Sequence, residues 1–202
     1  MVKILFLRHA ESVANKSRIF SGQTDVPLTE FGLIQAKKVA DYIINNYKID
    51  AVYSSDLTRV KQTVLPTVNR LGLKVNYNKK LREIDVGAWG GVSIDEISIR
   101  DAETFNRYIA GDSTVHLGGA ESFEDLKKRA LEIFNEIVRN NDGKTVLVAT
   151  HGGVIRTLCR VWLNLSVVQM QKNHSITNAS ITEVNIKGDK VEIPFIAKSD
   201  YL

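Results

Sequence analysis

Short apolar runs alternate along this chain with longer stretches whose apolar positions recur every three to four residues. Val2 and Ile4 to Leu7 form the first run and predict a buried strand. Leu33, Ala36, Val39, Ala40, Ile43 and Ile44 then carry the period of a helix, with Thr29 as its N-cap. The stretch IDAVYSS predicts a second strand, followed by a helix over about 56–71, and LKVNYN a short third strand. A moderately polar helical segment spans about 93–110, and the Gly-rich passage AGDSTVHLGGAES follows it. Phe123, Leu126, Ala130, Ile133, Phe134 and Ile137 mark a long amphipathic helix. KTVLVAT is apolar without alternation, as a strand covered on both faces must be. SITEVNI and KVEIPFI flank the turn KGDK and predict a terminal hairpin.

Strands alternating with helices imply an α/β fold in three layers, a mainly parallel sheet with helices on both faces. The segment of about 86–121 breaks the rhythm and reads as a small helical insertion within a single domain spanning 1–202. In such sheets ligands bind beyond the carboxyl ends of the strands. The first strand ends at Arg8-His9, the strand KTVLVAT at His151-Gly152-Gly153, and the second at Ser54-Ser55-Asp56 with Arg59 one turn on.

Those strand ends carry the chemistry of a phosphate site. Arg8 and Arg59 offer planar forks that match phosphate oxygens. Gly152 and Gly153 open a helix, whose free N–H groups and dipole favour an anion. An imidazole among such donors can attack phosphorus, provided an acceptor such as a backbone carbonyl fixes its tautomer. The stretch LREIDVGAWGG adds two carboxylates, Glu83 and Asp85. Spacing alone leaves Glu83 two roles: general acid for the leaving oxygen, or ion-pair partner of Arg82.

Composition narrows this little. The chain has 27 Lys and Arg against 23 Asp and Glu, a net charge of +4, scattered rather than clustered. That fits a solvated surface and a small anionic substrate better than nucleic-acid binding. Cys159 is the only cysteine, so no internal disulfide can form, and no arginine stands six residues after it to complete a cysteine-phosphatase loop. The N-terminal run is too short for a secretory signal and no stretch reaches membrane-span length, so a soluble, cytoplasmic protein is expected. His116 and His174 have no partner at ligand spacing, and no metal site is expected.

LRHAESVAN, GQTDVPLTEFGLIQA, VYSSDLTRVKQT, LREIDVGAWGG and VATHGGVIR resemble, in order, the successive signatures of the histidine phosphatase superfamily, the phosphoglycerate-mutase-like fold. The resemblance implies that His9 becomes phosphorylated, with Arg8, Arg59 and His151 as its phosphate-binding neighbours. It gives Asn15 a share of the phosphate, sets Gly22 and Gln23 in the loop bordering the substrate, and makes Glu83 the proton donor, with no metal or other cofactor. It implies a phosphomonoesterase acting on a small phosphorylated metabolite. Short members such as phosphatases of α-ribazole phosphate and broad-specificity bacterial phosphatases look most similar. A phosphoglycerate mutase is the alternative, disfavoured because the insertion is short and Arg100 and Arg107 are separated; a catalytically silent phosphate-binding module is a third reading. The insertion would form the lid, with Tyr108, Arg107, His116 and Glu121 as candidates to face the leaving group. Two positions depart from the family pattern. Ala10 replaces a usual glycine, which demands a negative φ, and Gly90 stands where the phosphatases often have a glutamate.

Overall fold

A computed structural model describes residues 1–202, the side chain of Gln171 excepted. Six strands form one sheet: β1 (Val2–Arg8), β2 (Ala51–Ser54), β3 (Val75–Tyr77), β4 (Thr145–Thr150), β5 (Ile181–Lys187) and β6 (Lys190–Lys198). Their order is β3-β2-β4-β1-β5-β6. The first four run parallel, and the terminal hairpin adds β5 antiparallel to β1, so the sheet is mixed at one edge.

The central strands are buried on both faces, and alternate side chains serve two cores. Ile4 and Phe6 of β1 and Val146 and Val148 of β4 face one cluster. There they meet Leu126, Ala130, Ile133 and Ile137 of α6 (Phe123–Asn140) and Val154, Ile155 and Leu158 of α7 (Gly152–Trp162). Leu5, Leu7, Leu147 and Ala149 face the other. Their partners are Ala36, Val39 and Ile43 of α2 (Glu30–Asn46) and Val60, Val64 and Val68 of α3 (Thr58–Leu71). This is the three-layer arrangement the periodicity predicts. Thr29 caps α2, its Oγ1 accepting from the Gly32 N–H at 3.0 Å.

Several details differ from the sequence reading. The helix after β2 begins at Thr58, because Leu57 before it is extended (φ −74°, ψ 141°) and serves as the N-cap. The 93–110 segment is two helices, α4 (Ile94–Arg100) and α5 (Ala102–Ile109), broken at Asp101 (φ −131°, ψ 50°). The carboxylate there accepts from the indole N–H of buried Trp89 at 2.9 Å. Two short helices went unread: α1 (Val13–Lys16) and α8 (Val167–Asn173). Each is begun by a reciprocal cap, Ser12 with Asn15 and Ser166 with Gln169, rather than by an apolar stripe.

The β1–β4 register sets the position of everything that follows. Arg8 lies opposite Thr150, and the His9 N–H donates to the Thr150 carbonyl at 3.0 Å. The next residue on each strand is therefore a histidine, and the two leave the sheet side by side. The loop after β1 is held by α2 at close range. A Cβ on Gly32 would stand 2.1 Å from the Glu11 carbonyl oxygen, which is backbone and cannot swing aside. Gly32→Ala should cost about 1–3 kcal/mol through forced backbone movement, read as a lower urea midpoint. An unchanged midpoint would show that the loop yields freely.

Candidate active site

His9 follows β1 directly and is buried. Its Nδ1 lies 2.8 Å from the Ala10 carbonyl, which makes Nδ1–H the donor and leaves the Nε2 lone pair available. Ala10 is fully buried and is not among the residues with positive φ, so alanine sits there without strain. Its N–H donates to Thr63 Oγ1 at 2.9 Å.

His151, the N-cap of α7, packs edge-on against His9 with ring centroids 5.2 Å apart. Its Nε2 is 2.9 Å from Ser55 Oγ. Ser55 Oγ also accepts from the Leu57 N–H, and a Ser55 hydroxyl donating to His151 Nε2 leaves the imidazole its own proton on Nδ1. That Nδ1 is buried with no hydrogen-bond partner among the described residues, and the same holds for Arg8 Nε and Arg59 Nε.

The two arginines present less than full forks. Arg59 is completely buried, and its terminal nitrogens donate to the carbonyls of Thr24 (2.9 Å) and Gly22 (2.7 Å). What remains for an anion is the Nε–H edge. Arg8 donates through one terminal nitrogen to the Ile176 carbonyl. Neither pairs with a carboxylate among the described residues.

Electrostatics follow from that burial. Desolvation first, then Arg156 and Arg59, lower the Arg8 guanidinium to about 10, with Glu83 opposing. Arg59 is lowered by burial against the raising effect of Glu83 and Asp25. Burial, then Arg8 and Arg59, hold His9 well below the usual imidazole range, and burial with Arg59 leading the nearby cations does the same to His151. Both rings are neutral at pH 7. His9, its Nδ1–H held by the Ala10 carbonyl, offers a lone pair on Nε2.

Glu83 has a different environment. Arg82 is bound bidentately by Asp56 (2.7 and 2.6 Å), which removes the ion-pair reading of Glu83. Glu83 instead accepts from the Ile84 N–H at 2.9 Å and, at the start of α7, from the Gly153 N–H at 3.0 Å. Arg129 of α6 braces the segment behind it, donating to the carbonyls of Lys80, Arg82 and Glu83 and to both carboxylate oxygens of Glu121.

A cavity of about 190 Å³ opens beside Glu83. Asn15, Gly22, Gly153, Arg156, Phe20, Tyr108 and Phe123 are among its walls. Gly152 lies beneath, its would-be Cβ 3.3 Å from Arg8 Nε, and Gln23 turns away to the Glu83 carbonyl and Arg82. Of the four residues expected to face a leaving group, Tyr108 alone lines the cavity. Arg107 pairs with Asp112 in solvent, His116 is exposed and bonds the Ala120 carbonyl, and Glu121 is taken up by Arg129. Trp89 packs with Phe20, Phe105 and Tyr108. Gly90, close by, has an ordinary φ of −61°.

Thr63, Arg129, Arg156 and Asn178 escaped the sequence reading, which sets Ser55 at a strand end without a role. Asn178 donates its amide to the carbonyls of His9 (3.0 Å) and Ala10 (3.3 Å) and to Asn15 Oδ1 (3.1 Å). Nothing in its local sequence marks that role. Arg129 did leave a signal, since an arginine between Leu126, Ala130 and Ile133 lies on the apolar stripe of its helix. Among the described residues, no group of three or more His, Cys, Asp and Glu side chains is arranged to hold a metal, and no helix is long and apolar enough to cross a membrane.

The model of the histidine phosphatase superfamily (branch 1) matches residues 4–198. A metal-independent phosphoserine phosphatase of Arabidopsis thaliana is 30% identical over 192 residues, 94% of this chain and 79% of the plant protein. Among solved structures, YhfR of Bacillus stearothermophilus superposes with a TM-score of 0.94 at 26% identity, covering 100% of this chain and 99% of that one. A mycobacterial glucosyl-3-phosphoglycerate phosphatase in complex with VO3 gives 0.88 at 27% identity, with 98% and 99% covered. With its paired strand-end histidines, buried arginines and a family match running from the first strand to the last, the chain belongs to the histidine phosphatase superfamily.

Proposed function

We propose that this protein is a metal-independent phosphomonoesterase that acts on a small phosphorylated metabolite through a phosphohistidine on His9. The observation that carries the reading is the neutral, buried His9, tautomer fixed by the Ala10 carbonyl, facing donors that lack partners: Arg8 Nε, Arg59 Nε and His151 Nδ1. His9 Nε2 forms the bond to phosphorus as the P–O bond to the leaving alcohol breaks. Those donors and the Asn15 amide take up charge on the phosphoryl oxygens. Glu83 gives its proton to the departing oxygen, then accepts one from the water that cleaves the N–P bond, releasing inorganic phosphate and restoring His9. Segment 86–121 serves as the lid, with Tyr108 at the cavity.

The names of the similar proteins support a phosphorylated small molecule as substrate. A mutase has less support, since Arg100 and Arg107 are exposed and engaged by Glu96 and Asp112 rather than turned to the cavity. A cytoplasmic setting is part of the same proposal; the lone thiol of Cys159, buried and pushed up to about 12 by burial, has no cysteine partner in the chain.

In EDTA, wild type should release phosphate from small phosphomonoesters and trap an acid-labile phosphohistidine on quenching, while His9→Ala does neither. Full turnover by His9→Ala would end this mechanism.

Gly153→Ala tests the proton donor without touching it. A Cβ at 153 would stand 2.0 Å from Glu83 Oε1, so the carboxylate must move. The variant should lose about 10- to 100-fold in kcat, most for alcohols of high pKa. A loss equal for all leaving groups would argue that Glu83 does not donate the proton.

The lowered imidazoles also set a pH dependence of folding. With a folded pKa below the unfolded value, the unfolded chain binds more protons below pH 6.5, so stability falls as pH drops through that window and is level above it. Each group contributes at most about 1.4 kcal/mol per pH unit. His9→Gln should therefore lose less stability than wild type between pH 7.5 and pH 5 in urea titrations. Parallel losses would contradict a neutral buried His9.

A further inference from the structure

Six arginines are not exposed: Arg8, Arg59, Arg82, Arg129, Arg156 and Arg160. Arg82, Arg129 and Arg160 each pair with a carboxylate, namely Asp56, Glu121 and Glu124. Arg8, Arg59 and Arg156 pair with none among the described residues, and all three belong to one site. Arg8 and Arg59 flank His9. Arg156 stands elsewhere, in the wall of the cavity next to Glu83 and Gly153, where neither Arg8 nor Arg59 reaches. It makes no hydrogen bond among the described residues.

Its surroundings mix polar groups, Asn15, Ser21, Glu83, Thr157 and the Glu124-paired Arg160, with aromatic and aliphatic side chains. Tyr108 and Phe123 stack with centroids 5.7 Å apart, Phe20 meets Tyr108 edge-on, and Ile19, Val167 and Met170 add aliphatic surface to the wall. Arg156 is near enough to Arg8 to add to the lowering that burial begins there, and near enough to Tyr108 to oppose the rise that burial causes. A guanidinium half-buried among aromatic rings and close to another cation is a costly place for an unpaired charge. The charge count points the same way. With Glu83 protonated to serve as acid, a phosphoryl dianion balances Arg8 and Arg59, and Arg156 is left without a counterion. A single negative charge on the leaving alcohol supplies it, and a carboxylate fits the guanidinium fork bidentately.

We propose that Arg156 is a specificity-determining residue that binds a carboxylate on the leaving alcohol, so that the enzyme prefers phosphoesters of hydroxy acids to those of neutral or cationic alcohols. The inference rests on the phosphatase reading above and deepens it. A hydrolase and a mutase could both use such a grip, and release of inorganic phosphate separates them.

Matched pairs of esters provide the test: O-phosphoserine against O-phosphoethanolamine, and 3-phosphoglycerate against glycerol 3-phosphate. Each pair differs chiefly in the carboxylate. Wild type should favour the acid by roughly 10- to 100-fold in kcat/KM. Arg156→Met should bring that ratio close to one, mainly through KM of the acids, and Arg156→Lys should restore part of it. Equal kcat/KM for wild type within both pairs would overturn the assignment and leave the phosphatase reading standing. An equal loss on acid and neutral esters in Arg156→Met would also overturn it, since Arg156 would then be acting on the phosphoryl group. No phosphate release from any of the four would defeat both readings.

Discussion

Two guanidinium groups buried without a carboxylate are the constraint around which this molecule is arranged. Burying such an ion costs several kcal/mol even after relaxation, and a salt bridge is the usual remedy. Here the remedy is backbone carbonyls: those of Gly22 and Thr24 for Arg59, and that of Ile176 for Arg8. A carbonyl lowers the cost of burial without cancelling the charge. The corner therefore stays positive, and desolvation, with that field adding to it, keeps His9 and His151 unprotonated. Had a carboxylate paired with either arginine, the site would have its own counterion and less need of an anionic one.

The carboxylates are not missing; they are placed one layer out. Asp56 neutralises Arg82 and Glu121 neutralises Arg129, and both pairs brace the backbone on either side of Glu83. Partly buried pairs of this kind add modest stability, but their geometry is specific. They fix where Glu83 emerges, and the N–H of Gly153 fixes where its carboxylate ends. Among the described residues, only Glu83 brings a carboxylate to the boundary between the phosphate corner and the cavity, and in the proposed mechanism a proton moves there without a second acid quenching the cations.

How much of this could be read from the sequence depended on the range over which each feature is encoded. The four parallel strands, α2 and α6 are written locally, in apolar periodicity and in the cap at Thr29. His9 and His151 were legible because a strand that is apolar throughout has a recognisable end, and two such ends each bear a histidine, one beside an arginine and one beside a glycine pair. The break at Asp101 was not, because it depends on Trp89 reaching across the insertion. Short helices such as α1 carry too few turns for a period to appear. Asn178 lies 169 residues from His9 and meets it only because β5 pairs with β1. The carbonyl ties that leave Arg59 only its Nε edge are similarly a product of the fold, where the sequence offered an unencumbered fork.

The site also divides by origin. Residues at the phosphate corner come from β1, β4 and the start of α3, and the parallel register of central strands fixes their relative positions. Residues lining the cavity come from the loop after α1, from segment 86–123 and from α7 and α8, elements outside the sheet. A change at Phe20, Tyr108 or Met170 can therefore reshape the space for the leaving group while the β1–β4 register, and with it the pairing of His9 and His151, stays intact. Loops carried on a rigid scaffold allow this separation. Glu83 and Gly153 sit where the two parts meet, and on the proposed mechanism their 3.0 Å contact is the point at which the choice of alcohol and the chemistry at phosphorus are coupled.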